Sequence, residues 1–476
     1  MKKSYISLAL SSILTFAFAE DVAIDLTPPK AGEEPSKGNP VRFDYAFESD
    51  GTAVTGKADE VKFYTDYFWN VGTGNNLGLV TKKDSAQPSK DLVATAIFNA
   101  PGNNDNLLLE NFNYISVKTD LTTKGQEDTF FAILNGPNPY TSFTLNNANI
   151  FSGSNLFIGG LGKGQSMTGG FKSVILKGNI KVDANAIDQA DQQGSGKKEA
   201  TLNFHSEYKD ATYTIESGAV LDLTSTTGTQ KSTINFGKGE ENQSVINKGE
   251  IKVTNTTANT TQVSTNEKNN INFEIDLKNE GTITLTNSTL NFKDANLTIS
   301  DEGSVGTINI AAKEDKKENL GTTGGAQNKA TNNTSTLLFE NTDTQKGKTF
   351  SIKSQNINIT GTKPSDADSE EKNPELFGAK LTINLKDGTQ PTKEPFSEIL
   401  LTGSKDKLTT ITVGSGSGND KNTSLAFKVP DPVLPPMPAN PSPRVRLDNY
   451  AAIVVQSGAK LDLKGIKGVN LSLIHI

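Results

Sequence analysis

The chain has 476 residues, with 54 Asp and Glu against 47 Lys and Arg and a net charge of −7. This acidic excess argues against nucleic acid as the main partner and against a polybasic membrane dock, because phosphate neutralisation needs a basic face. Cysteine is absent, which removes disulfide stapling, thiolate chemistry and Cys-ligated metal.

Residues 1–19 read as a secretory signal. Lys2 and Lys3 form the positive region, Ile6 to Phe18 the apolar region, and Ala17-Phe18-Ala19 the small-residue cleavage pattern, with the cut between Ala19 and Glu20. The apolar run is too short to span a bilayer. Residues 20–40 are rich in Pro, Gly and charge and read as a flexible leader. From Val41, VRFDYAFES and VKFYTDYFWNV are aromatic-rich and bounded by Asp-Gly and Gly-Thr-Gly, which predicts hairpins. Residues 41–100 are therefore expected to form an N-terminal β cap over the open first turn of an array.

Across 101–428 short segments such as NLLLENFNYISVKTD, TSFTLNNANIFSGSNLFIG and FKSVILKGNIKVDA alternate apolar and polar residues between Gly or Asn turns. Period-2 alternation predicts strands. Residues 183–200 are the nearest helix candidate, lack an apolar face, and read as a loop extruded between turns. Residues 311–335 and 361–375 carry almost nothing that can build a core and read as disordered loops. The Pro-rich run 429–444 is a linker or a further loop. Residues 445–476 read as one more turn, which stops inside a strand, so the sequence is expected to be truncated.

The most regular stretch is Thr214–Ile310, with TIESGAVLDL, SVINKGEIKVTN, DLKNEGTITLTN and TISDEGSVGTINI. Each unit has an apolar residue, a polar turn ending in Gly, then apolar residues at alternate positions. Gly218, Gly249, Gly281 and Gly303 are 31, 32 and 22 residues apart, and the unit returns as SGAKLDL around Gly458. A strand-and-turn unit recurring every 20 to 30 residues or so marks a solenoid. Stacked in parallel, it would bury Ile251, Val253, Ile283 and Leu285 and show Thr, Lys and Asn outside. Two or three inward side chains per turn would suffice, and each Gly is expected to supply positive φ at a corner. The expected class is all-β, a parallel β-helix with polar loop insertions; a β-sandwich is the competing architecture.

The Lys-Lys signal, the absence of Cys, and repeats such as VINKGEIKVTN and LKNEGTITLTNSTLNF resemble the passenger of a bacterial autotransporter (type V secretion). The resemblance covers roughly residues 100–476. It implies a right-handed β-helix that is secreted or displayed at the bacterial cell surface. It also implies a C-terminal outer-membrane β-barrel, which this sequence lacks, and it carries over no catalytic residues.

Little else in the sequence points to chemistry. Gly414-Ser-Gly-Ser-Gly418 has Gly where a nucleophile would stand. Gly347-Lys348-Thr349 lacks the earlier Gly of a phosphate loop. Gly159–Gly164 lacks the Asp of a calcium-binding nonapeptide. His205 is expected to face solvent, and His475 has no assigned role. Asp222, Glu274, Asp276, Asp294, Asp301 and Glu302 read as single solvated acids. Asn242, Asn296 and Asn422 each begin an Asn-x-Ser/Thr sequon with an acid two positions earlier, and are candidate glycan acceptors. The expectation is a non-catalytic adhesin or host-interaction factor without cofactor or metal. Its partners would be a host-cell surface, extracellular matrix or other bacterial cells, recognised through the two polar loops. The alternatives are a secreted β-helix polysaccharide lyase or glycoside hydrolase, and a pore-forming toxin passenger.

Overall fold

The computed structural model describes residues 21–25, 41–43, 78–83, 92–98, 106–116, 130–135, 139–151, 155–159, 169–184, 198–225, 230–255, 268–300, 302–312, 334–361, 378–388, 396–415, 422–429, 444–448, 450–463 and 474–475. Among them every regular element is a strand. The strands pair in parallel from coil to coil, except for one antiparallel hairpin, Gly78–Lys83 with Leu92–Phe98. The chain is a parallel β-helix. The right-handed crossover that its resemblance implied is also the general rule for parallel strands.

One coil shows the plan. Asn270–Phe273 lies on what we call the third face, Asp276–Asn279 on the first and Thr282–Thr286 on the second. The chain then begins the next coil at Thr289–Lys293, which lies in register on Asn270–Phe273. Nearer the N-terminus the first and second faces are not yet separate. Asn106–Ser116, Ser142–Phe151 and Ser173–Asp183 each cover both, bending at Asn111, Asn147 and Gly178, where φ is +55°, +54° and +61°. Asn and Gly are the residues that enter this left-handed region at least cost. Ser173–Asp183 then pairs with two strands, Thr212–Ile215 and Val220–Ser225, and each later coil has three.

In-register parallel stacking sets each inward residue over its counterpart. Ile251 lies on Ile283 and Ile283 on Ile308; Val253 lies on Leu285 and Leu285 on Ile310. All four expected core residues are fully buried. The third face builds a taller column from Phe204, Phe236, Phe273, Phe292 and Phe339. Successive ring centroids are 5.0, 5.4, 5.3 and 4.9 Å apart, with interplanar angles of 10°, 3°, 15° and 13°. Offset stacking at this spacing adds to the area each ring buries. In sequence the column is the recurring Leu-Asn-Phe or Ile-Asn-Phe at 202–204, 234–236, 271–273 and 290–292, a signal that the Gly-turn unit overshadowed. A coil also buries more than two or three side chains: Ile271, Phe273, Ile275, Leu277, Ile283 and Leu285 all point inward in one.

The repeated glycines divide into two kinds. Gly218 and Gly458 do turn corners with positive φ, +83° and +87°. Gly249 and Gly281 do not. A Cβ on Gly249 would stand 2.4 Å from the carbonyl oxygens of Ala219 and Glu216, and one on Gly281 would stand 2.1 Å from the carbonyl oxygen of Gly249. These glycines exist because one corner lies on another. SGAVLDL and SGAKLDL also occupy different corners. The first leads into Val220–Ser225 on the second face, and the second leads into Lys460–Asp462 on the third.

The expected leader, 20–40, contributes Asp21–Asp25, and the expected cap opens with Val41–Phe43; both pair in parallel with Asn106–Ser116. The signal segment 1–19, the stretch 61–71 with Trp69, and most of 183–200, 311–335, 361–375 and 429–444 lie outside the described residues. Their attachment points are described. The chain leaves the coils after 184, 255, 312 and 361, and re-enters at 198, 268, 334 and 378. Each departure follows a second-face strand and each return precedes a third-face strand. Four long insertions therefore share one edge of the helix.

Phe273→Ala removes a ring stacked on both sides and is expected to cost about 3–5 kcal/mol. Ile246→Ala, on the outer side of Ser244–Asn247, is expected to cost far less. Urea denaturation followed by circular dichroism tests this; equal midpoints for the two variants would contradict the stacked column.

Candidate functional site

The outward columns of the three faces have different chemistry. On the third face the Asn of each Leu-Asn-Phe or Ile-Asn-Phe unit points out, and the amides link across coils. Asn235 Nδ2 donates to Asn203 Oδ1 at 2.7 Å, and Asn272 Nδ2 to Asn235 Oδ1 at 2.6 Å. One position further along, the charges alternate as Glu274, Lys293, Glu340 and Lys386. Lys293 Nζ lies 2.7 Å from Glu274 and Lys386 Nζ 2.5 Å from Glu340. The hydrogen bond to Glu274 is the main reason the Lys293 pKa is raised, with burial opposing it. Exposed pairs of this kind contribute about 0–1 kcal/mol each.

Inside the corner between the first and second faces, a second amide chain is fully buried. Asn247 Nδ2 donates to Asn279 Oδ1 at 2.8 Å, and Asn279 Nδ2 to Gln355 Oε1 at 2.9 Å. Gln355 Nε2 goes on to the carbonyls of Thr298 and Lys353. These groups satisfy backbone carbonyls that a turn would otherwise leave bare.

Where the third face turns back to the first, Arg444 and Asp387 form a buried ion pair. Arg444 Nη2 lies 2.6 Å from Asp387 Oδ2, and the two side chains are 7% and 6% exposed. Arg444 Nε donates to the Ser397 carbonyl at 2.6 Å, and its guanidinium lies 5.2 Å from the centre of the Phe396 ring. Ser397 Oγ donates to Asp387 Oδ1, and Asn341 Nδ2 donates to Ser397 Oγ, both at 2.8 Å. Arg444 is the first described residue after the Pro-rich run, so this cluster holds the point where the chain re-enters the coil.

Four of the single acids of the sequence reading have a local partner, Glu274 being paired with Lys293. Asp276 accepts from the backbone N–H of Asn296 at 2.8 Å. Asp294 accepts from the backbone and hydroxyl of Thr342, and Asp222 from the Thr224 hydroxyl at 2.6 Å. Glu302 is exposed, and Asp301 lies outside the described residues. Among the described residues no three His, Asp or Glu side chains gather as a metal site.

The expectation that His205 faces solvent is corrected. It stands at the end of Lys198–His205, half-buried, with Nε2 enclosed and without a partner. Burial lowers its pKa, and Glu207 and Glu274 pull it partly back. Lys268 is also unusual: its ammonium donates to the Thr334 carbonyl at 2.8 Å, and burial lowers its pKa to about 8. That contact joins the return points of two insertions.

The three sequon asparagines are not equivalent. Asn242 is exposed in a turn at φ +60°, but the Ser244 two positions on is buried in a strand. Asn296 holds Asp276 with its Nδ2 at 3.2 Å and accepts from the Ser351 N–H at 3.0 Å. Asn422 is half-buried against Gly378. Asn242 and Asn296 sit at corners from the third face to the first, and Asn422 at a corner from the second to the third. Ala19 and Glu20 at the expected cleavage point, like the Gly-rich run after Gly159, lie outside the described residues.

The second face differs from both neighbours. Across Thr282–Thr286, Gly306–Ala311, Gln355–Thr360 and Thr409–Val413 its outward columns are Thr282, Thr307, Asn356 and Thr410, and Thr284, Asn309, Asn358 and Thr412. Only hydroxyls and carboxamides face out in these two columns. Comparison of the chain with family models, with curated proteins and with solved structures gave no match.

Asp387→Ala strands a buried guanidinium and is expected to cost about 3–5 kcal/mol, whereas the Arg444→Met/Asp387→Leu double variant recovers most of that loss. A thermal melt of both decides it. His205 prefers its neutral form in the fold, so its contribution to stability is complete above about pH 6.5, its ordinary pKa, and falls as pH drops below that. His205→Gln is expected to flatten the pH dependence of urea midpoints below pH 6.5; an unchanged slope would contradict the burial of the ring.

Proposed function

We propose that the chain is a secreted or surface-displayed passenger of the autotransporter type, acting in adhesion or host interaction without catalysis. The observation that carries this reading is the composition of the outer columns. Thr and Asn ladders, and a ladder of alternating Glu and Lys, occupy the surfaces where an enzymatic β-helix would gather acids or bases from successive coils. Asp276, Asp222 and Glu274 are each engaged by a neighbouring amide, hydroxyl or cation. The parallel stack supplies length and rigidity, because every coil is held on both sides by its neighbours. Four of the long insertions are attached at one edge, between the second and third faces, and solenoids present their recognition elements in that way. Bacterial cell-surface export rests on the signal-like residues 1–19, and attachment through a C-terminal barrel rests on the resemblance alone.

The reading is tested on chain recovered from the medium or the cell surface. N-terminal sequencing is expected to begin at Glu20, and the chain is expected to bind host cells or immobilised matrix saturably. It is also expected to release no new reducing ends or unsaturated products from polysaccharides. A chain retained in the cytoplasm with Met1 intact would refute the export reading, and product release would favour the lyase or hydrolase alternative.

A further inference from the structure

We propose that the second face, from Thr282–Thr286 to Ala451–Val455, binds a neutral, extended, hydroxyl-rich glycan laid along the helix axis. The proposal rests on the surface-binding reading above and names the ligand class for it.

The first support is a grid without charge. Thr282, Thr307, Asn356 and Thr410 form one column, and Thr284, Asn309, Asn358 and Thr412 the other. Strand geometry spaces the members of a column about 4.8 Å apart and the two columns about 6.7 Å apart. Earlier coils carry charges at the same positions: Lys181, Asp222, Glu250 and Lys252. The third face also carries charges across these same coils. Neutrality therefore belongs to this face over these coils.

The second support is that the grid does not satisfy itself. Asn358 Nδ2 donates to Asn309 Oδ1 at 3.2 Å. Among the described residues, no other hydrogen bond engages the side chains of Thr282, Thr284, Thr307, Asn356, Thr410 or Thr412; the Thr282 carbonyl accepts from Asn247 Nδ2. Three amides of the third face, Asn203, Asn235 and Asn272, are by contrast joined to one another, while Asn291 Oδ1 has no partner. The second face thus offers hydroxyl and amide groups held in fixed positions by the sheet, so that little ordering is lost when a ligand takes them.

The third support is an apolar patch on the same face, one coil before the strand Ile474–His475, which stacks on Ala451–Val455. Among the described residues the exposed large hydrophobics are Leu408 and Tyr450, 49% and 41% exposed. Both stand where the first face turns into the second, on adjacent coils joined by the Thr409 N–H to Tyr450 carbonyl bond. Ala452 and Val454 continue the two Thr/Asn columns beside them. A sugar ring presents C–H groups on its faces and hydroxyls around its edge. The first suit an exposed Tyr ring and small apolar side chains, and the second suit Thr and Asn. A chain of such rings along the axis meets fresh grid positions at every coil. A polyuronate would call for Arg or Lys among these positions, and none stands there.

The test is co-sedimentation of the full chain with insoluble chitin and cellulose, with a polygalacturonate gel as the charged comparison and host-cell binding measured in parallel. The expected result is retention on a neutral polysaccharide that resists salt, and a loss of about tenfold or more in affinity for Thr412→Lys and for Tyr450→Ala. Thr214→Lys, on the first face, is expected to leave retention unchanged. Circular dichroism melts matching the parent keep loss of folding apart from loss of binding. The proposal is overturned by no retention on either neutral polysaccharide, by retention that both variants leave intact, or by preference for the polyuronate. It is also overturned by a concentration-dependent dimer that Thr412→Lys abolishes, since the face would then receive a second copy. Cell binding that survives Thr412→Lys overturns the glycan assignment and leaves the surface-binding reading standing; loss of any binding to cells or matrix by the parent chain removes both.

Discussion

Parallel in-register hydrogen bonding between coils is the constraint on which the rest depends. It sets every residue over its counterpart in the next coil, about 4.8 Å away. Inside, like then stacks on like: Phe273 meets Phe236 and Phe292, and Asn279 meets Asn247; outside, charge meets opposite charge where Lys293 lies on Glu340. Each column is a one-dimensional problem: apolar inside, linked amides at the corners, and outside whatever the surface requires.

The columns do different work. The Phe and Ile columns supply most of the burial, and each ring gains from the ring on either side. The amide chains at the corners keep buried carbonyls paired where the chain turns. The Arg444–Asp387 cluster costs desolvation and makes its return through several hydrogen bonds at once. It stands where a long Pro-rich excursion must rejoin the coil in register, and a slip by one residue there would reverse every side chain that follows.

Function follows from what the columns leave outside. The third face is internally paired, by amide to amide and by Glu to Lys. The second face, apart from the Asn358–Asn309 bond, is not paired to itself over four successive coils, and Leu408 and Tyr450 stand exposed beside it. The insertions leave from the edge that this face shares with the third. A surface with unpaired hydroxyls beside an edge where long insertions attach is the arrangement on which the proposed surface-binding role rests.

The period-2 alternation and the Gly-bearing turns determined the class, because a residue's side in a strand is decided by parity alone. Hence Ile251, Val253, Ile283 and Leu285 were legible as core from their spacing. Parity cannot say which strand lies on which. SGAVLDL and SGAKLDL are nearly identical strings, yet they lead onto different faces, since the corner a turn occupies is decided by how much chain precedes it in its coil. Likewise Gly218 needs positive φ while Gly249 and Gly281 need an absent Cβ, and only the carbonyls of the coil below distinguish the two. His205 sits at an outward position by parity, but the packing around it encloses its Nε2. The uncharged columns of the second face, the shared edge of the insertions and the buried Arg444–Asp387 pair join residues tens of positions apart. They came into view only once the coils were stacked, because separation along the chain carries no record of the register that brings them together.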